Sequence, residues 1–197
     1  MARRLALLCF AAWMLAGCAT PSGRELPAMG DWEQRREVLL GADRWEFQGR
    51  IGVKAGDEGF NGKLWWWQRD QDFRATVSGP LGVGTLRIAG LGSRLTVTDK
   101  DGTVMEMRDA EADLRAMYGW TIPVESLRYW ALGIPDPASP VVTEFGSGGQ
   151  LLRLEQRGWL VEIPQYRDAA GQSMPWRILA VNEDASVRLV IDNWVFH

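Results

Sequence analysis

From residue 45 to residue 54 the odd positions are apolar or glycine, and most of the even ones are polar. That is the period of a strand buried on one face. Residues 60–68 follow after the turn Gly56 to Gly59, but Leu64-Trp65-Trp66-Trp67 is apolar at successive positions. A strand apolar on both sides needs cover on both sides. Residues 73–77 alternate again, and short strands are expected at 83–89, 94–99 and 103–107. Asp99-Lys100-Asp101-Gly102 reads as the hairpin turn between the last two. The period then changes. Asp109 caps a predicted helix over 110–118 that Gly119 ends, and Pro123 opens a second over 124–132 that Gly133 ends. Leu127, Trp130 and Ala131 share one face of it. A loop with three prolines spans 134–140, and strands resume at 151–156, 159–163, 176–181 and 187–196. Upstream, Asp31 caps a short helix over 32–40, followed by Gly41.

These elements predict a mainly β fold with short helices. About ten short strands form one antiparallel sheet, strongly curved or barrel-like, because curling protects sheet edges. The helices between its two halves would pack on the concave side or plug the mouth.

The N-terminus has a different pattern. Arg3 and Arg4 precede an apolar run from Leu5 to Met14. This is shorter than the roughly 20 residues a membrane-spanning helix needs, and it has the layout of an export signal. Leu15-Ala16-Gly17-Cys18 closes it. These four residues resemble the bacterial lipobox, in which the cysteine is acylated and becomes the first mature residue. Residues 1–17 are then a signal peptide and 18–30, with Pro21, Gly23, Pro27 and Gly30, a flexible tether. Residues 31–197 form a single domain.

Charge and composition narrow the function. Net charge is −3, and removing Arg3 and Arg4, the only charged side chains ahead of Cys18, leaves −5. That argues against a nucleic-acid partner. The two cysteines are Cys9, inside the signal, and Cys18. The folded domain therefore has no disulfide and no thiolate metal site. Eleven tryptophans are an unusual surplus. They fit either a Trp-rich core or a wide apolar pocket.

Catalysis has little to work with. The one histidine is the terminal His197, and no Gly-x-Ser-x-Gly elbow or His/Cys metal cluster occurs. Asp99/Asp101 and Glu111/Asp113 sit where a turn and a helix start account for them. The protein is expected to be no enzyme, with no cofactor and no metal. More unusual is Gly79-Pro80-Leu81-Gly82, a turn with an apolar centre. Its leucine either tucks under the loop as a core plug or stands out as an apolar probe.

At this point the chain resembles the LolB family, outer-membrane receptors that accept lipoproteins from the periplasmic carrier LolA. The likeness runs from about Trp32 to Trp194. It rests on the lipobox, Gly49-Arg50-Ile51, Trp67-Gln68 and Gly79-Pro80-Leu81-Gly82. It continues with Ile122-Pro123-Val124-Glu125-Ser126-Leu127-Arg128-Tyr129-Trp130, Leu132-Gly133-Ile134-Pro135, Met174-Pro175 and Asp192-Asn193-Trp194. The triple Trp65-Trp66-Trp67 is bulkier than the family's pattern. The resemblance implies an open, unclosed antiparallel β-barrel with a helical lid over an apolar cavity for acyl chains. It implies a monomer anchored through Cys18 on the periplasmic face of the outer membrane, with LolA, client lipoproteins and outer-membrane lipid as partners. It makes Leu81 the exposed residue of a membrane-insertion loop formed by Gly79, Pro80, Leu81 and Gly82. Trp45, Phe47, Ile51, Leu127 and Trp130 are the candidate cavity or lid residues, since a cavity wall and a packed core share one pattern. Two other readings stay open: a lipoprotein that binds another apolar ligand such as a free lipid, and a structural lipoprotein with a filled core.

Overall fold

The computed structural model describes residues 23–27, 29–79 and 84–197. Cys18 and the loop residues Pro80, Leu81 and Gly82 lie outside the described residues. Eleven strands form one antiparallel sheet: β1 (Arg44–Ala55), β2 (Glu58–Arg69), β3 (Asp72–Ser78), β4 (Leu86–Leu91), β5 (Arg94–Thr98), β6 (Val104–Met107), β7 (Val142–Phe145), β8 (Leu151–Gln156), β9 (Trp159–Ala169), β10 (Gln172–Val181) and β11 (Ala185–Phe196). The helices are α1 (Trp32–Leu40), α2 (Ala110–Tyr118) and α3 (Val124–Leu132).

The strand order is β6-β5-β4-β3-β2-β1-β11-β10-β9-β8-β7. Each strand pairs with its chain neighbour, and the first and last strands pair at the centre. The two edges, β6 and β7, are consecutive in sequence. Pairing them would close the barrel, but α2 and α3 occupy the connection between them and the sheet stays open.

The helices carry caps legible in the sequence, at the N-terminus of α1 and α2 and at the C-terminus of α2 and α3. Asp31 accepts from the backbone N–H of Gln34, and Asp109 from that of Ala112. Gly119 and Gly133 end α2 and α3 in the left-handed conformation, which glycine adopts without Cβ strain. After the loop carrying three prolines comes one strand that the periodicity does not reveal, β7. The hairpin β9–β10 also runs further than 159–163 and 176–181. Its tip is a two-residue turn with Ala170 at φ 52° and Gly171 at φ 74°, and its arms contain Pro164 and Pro175.

Alternation places Trp45, Phe47, Ile51 and Val53 of β1 on the concave face, opposite Phe196, Trp194, Leu189 and Val187 of β11. A bulge between Gln48 and Gly49 shifts that register. The sheet closes so tightly there that a Cβ on Gly49 would strike the Val190 carbonyl oxygen. Trp66 alone of the three consecutive tryptophans points inward and is buried. Trp65 and Trp67 are half-buried on the outer face, where the Arg74 guanidinium covers the Trp67 ring at 5.4 Å. The N-terminal stretch read as tether follows the sheet for a few residues. Arg24 N–H donates to the Phe196 carbonyl (2.7 Å) and Leu26 N–H to that of Ala170 (3.0 Å).

Candidate functional site

The concave face divides along the strands. At the Trp45 end it is filled. The rings of Phe47 and Trp66 stack at 6.2 Å, those of Trp66 and Phe73 at 4.5 Å, and Trp194 tilts against Trp45 and Phe47 at 5.6 and 5.1 Å. Trp45 and Phe47 are each only 1% exposed. The Phe73 ring lies directly over Gly90, its cross-strand partner. Toward the other end the inward positions carry aliphatic side chains, and Ile51, Val53, Leu86, Ile88, Val97 and Val187 are only half-buried. They form an apolar trough whose side chains retain access to solvent.

Beside this trough a cleft of about 1440 Å³ opens round the strand ends. Inward-facing Ile51, Val53, Phe60 and Val187 line it together with Arg50, Lys54, Lys63 and Arg188 of the opposite face. Ser78 and Gly79, the latter the first residue of the predicted insertion loop, also line it.

The helical insert is tied across the filled end. Arg128 of α3 donates to the carbonyl of Asp70 in the β2–β3 turn (2.6 Å). On the other side Trp130 is 2% exposed and its indole N–H donates to Gln156 of β8 (3.0 Å). The Gln156 oxygen also accepts from Asp136 N–H (2.9 Å), and its NH₂ donates to the carbonyls of Asp136 (2.8 Å) and Ser139 (2.9 Å). Ser126 of α3 donates to the Asp136 carboxylate (2.7 Å). Gln156, Asp136 and Ser126 are all buried. Buried polar groups are tolerated only when partnered in this way.

Arg157, next along, joins the two helices. It donates to Glu111 of α2 (2.9 Å) and to the Ser126 hydroxyl (3.4 Å). Desolvation raises the Glu111 carboxyl above its ordinary value, more than the Arg157 charge lowers it. On α1, Arg35 is buried over the Tyr166 ring at 5.5 Å. Burial lowers its pKa and raises that of the Tyr166 phenol.

The structure therefore brings together only some of the sequence candidates. Ile51 stands in the trough and the cleft. Trp45 and Phe47 stand in the aromatic layer of the filled end. Trp130 anchors the insert, and Leu127 packs half-buried against the core. Gly79 lines the cleft, and Pro80, Leu81, Gly82 and Cys18 lie outside the described residues. The trough residues of β4 and β5 and the Gln156 hub were not singled out in the sequence. Among the described residues no group of three or more His, Cys, Asp or Glu side chains could hold a metal ion. No helix there is long and apolar enough to cross a membrane.

Comparison with known proteins places this architecture. The family model described as outer membrane lipoprotein LolB matches residues 43–194. The chain is 34% identical over 195 residues to the outer-membrane lipoprotein LolB of Nitrosococcus oceani, covering 97% of this chain and 96% of that one. It is 35% identical over 187 residues to the LolB of Stutzerimonas stutzeri, covering 93% and 91%. Among solved structures it is similar to a LolA superfamily protein from Nitrosomonas europaea, with TM-score 0.51, 11% identity, and 84% and 91% of the two chains covered. A putative outer membrane lipoprotein-sorting protein domain from Vibrio parahaemolyticus matches with TM-score 0.51 and 10% identity, over 84% and 90%. At such identities these two structures speak for the shared open-barrel fold.

Proposed function

The chain belongs to the LolB family of outer-membrane lipoproteins, a family of lipoprotein-trafficking receptors and not of enzymes, and from that premise we propose that it accepts lipoproteins from the periplasmic carrier LolA. It then passes them into the inner leaflet of the outer membrane, to which acylated Cys18 anchors it. The observation that carries this reading is the half-buried apolar trough of the open barrel, Ile51, Val53, Leu86, Ile88, Val97 and Val187. It ends beside the segment leading into Leu81.

Acyl chains need no charge partner in such a trough. Each buried CH₂ contributes roughly 0.8 kcal/mol wherever it is buried. A chain sliding from one apolar trough to another thus stays clear of water, and a modest difference in affinity directs it without nucleotide. The half-buried side chains of the trough become fully covered when acyl chains lie on them. Leu81 enters the leaflet, gaining roughly 1.5–3 kcal/mol, and opens it for release.

The test uses a soluble form carrying Cys18→Ala, mixed without ATP with carrier loaded with radiolabelled lipoprotein. Label is expected to move to this protein. Its failure to move to a folded chain would leave the trough to another apolar ligand. Leu81→Glu is expected to accept label but not to release it into membranes; normal release would sink the insertion role.

A further inference from the structure

The face of the cleft opposite the apolar trough carries an arrangement that the acceptor reading does not use. Cross-strand pairing sets Ser78, Lys63, Arg50 and Val190 in one row across four strands. The next row toward the strand ends holds Asn61, Gly52, Arg188 and Leu179, and the one after it Gly59, Lys54, Ser186 and Val181. Lys63 thus stands directly opposite Arg50, with Lys54 and Arg188 close by. Like charges directly opposite in a sheet repel and destabilise it.

Among the described residues Arg50 alone of these four is compensated, by Asp192 at 2.8 Å. Lys54, Lys63 and Arg188 make no ion pair among the described residues, and all three are exposed. The acids in the cleft wall are Asp57 and Glu58, at the tip of the β1–β2 hairpin, and Glu162 on β9. Val181, 40% exposed, shares the face of the cations in the Lys54 row, and Phe60, 41% exposed, turns to the trough face at the same strand ends. An uncompensated cation cluster beside exposed apolar groups matches the boundary between phosphate head groups and acyl chains.

We propose that Lys54, Lys63 and Arg188 bind the phosphates of anionic phospholipid head groups while Phe60 and Val181 reach toward the acyl region. This rests on the loop reading above. Gly79 lines the cleft and immediately precedes Pro80 and Leu81, so insertion of Leu81 sets the cleft at head-group level. The cations then orient the trough toward the leaflet, and the anionic surface removes the repulsion between neighbouring strands.

The experiment uses the chain carrying Cys18→Ala, so that no acyl anchor dominates. It is floated with vesicles of phosphatidylcholine alone or with added phosphatidylglycerol. Binding is expected to be tighter on the anionic vesicles and to weaken with salt. The triple substitution Lys54→Gln, Lys63→Gln, Arg188→Gln should weaken it by roughly fivefold per cation. All three side chains are exposed, so the variant keeps the wild-type near-ultraviolet spectrum and melts no earlier. Equal binding to both vesicle types overturns the proposal, as does a triple variant that binds like wild type. Stabilisation by inorganic phosphate without vesicle binding assigns the site to a free anion and also overturns it. A triple variant that floats normally but no longer takes lipoprotein from the carrier makes this an acidic-protein docking face instead. Vesicle binding through these cations by a chain that takes no lipoprotein would keep this site and end the acceptor reading.

Discussion

The indole N–H of Trp130 and the side-chain oxygen of Gln156 meet at 3.0 Å inside the protein, joining the helical insert to a strand residue 26 positions further along the chain. The same glutamine uses both lone pairs of its oxygen and both N–H bonds of its amide. It is the fastener that holds α3 across the filled end of the open sheet.

Gln156→Leu keeps the volume and removes all four hydrogen bonds. Several buried partners are left unsatisfied, at roughly 1–3 kcal/mol each, so a loss of at least ~3 kcal/mol is expected in urea unfolding. A loss below ~1 kcal/mol would mean that the insert is held by packing alone.

Gly90 has no room for a Cβ because the Phe73 ring lies on it. Gly90→Ala should cost roughly 1–3 kcal/mol as an overpacking change. In the background of Phe73→Ala the same substitution should cost much less. Additive losses in that double-mutant cycle would show that the ring does not press on Gly90.

Glu111 gives a pH dependence with a definite sign. Its folded-state pKa lies above the ordinary 4.5 because desolvation outweighs the Arg157 charge. The native state therefore holds this proton more tightly than the unfolded chain. The contribution is present below the ordinary value and is lost as pH rises through the folded-state one. The stability of wild type relative to Glu111→Gln should fall as pH rises from 4.5 through the folded-state value. Urea unfolding of both proteins across that range measures it, and a difference that rises with pH would refute the assignment.

Ile51 is the sequence candidate that stands in the trough. Ile51→Trp should fill space there and lower the uptake of an apolar fluorescent probe several-fold. Gln48→Trp, on the outer face of the same strand, should leave uptake unchanged. Equal uptake by all three proteins would move the apolar binding site elsewhere.

Much of this protein is written locally. The alternation of residues 45–54 sets which side chains of β1 face inward, and Asp31, Asp109, Gly119 and Gly133 set the helix boundaries. Each is a property of a few adjacent residues, so no distant partner is needed to read it. Strand β7 and the outer arms of the β9–β10 hairpin escaped because their hydrogen bonds come from partner strands. Pro164 and Pro175 also mask the strand period there. The division of the concave face was decided only in three dimensions. Trp45, Phe47 and Ile51 share one parity on one strand. Whether the space before them is filled depends on Trp66, Phe73, Trp194 and Phe196, which arrive from three other strands. The end those rings fill became core, and the end reached only by aliphatic side chains remained a trough. Nor could Gln156 be read locally. A glutamine at a strand end looks solvent-facing until the chain folds Trp130, Asp136 and Ser139 around it, because hydrogen-bond satisfaction belongs to the assembled site.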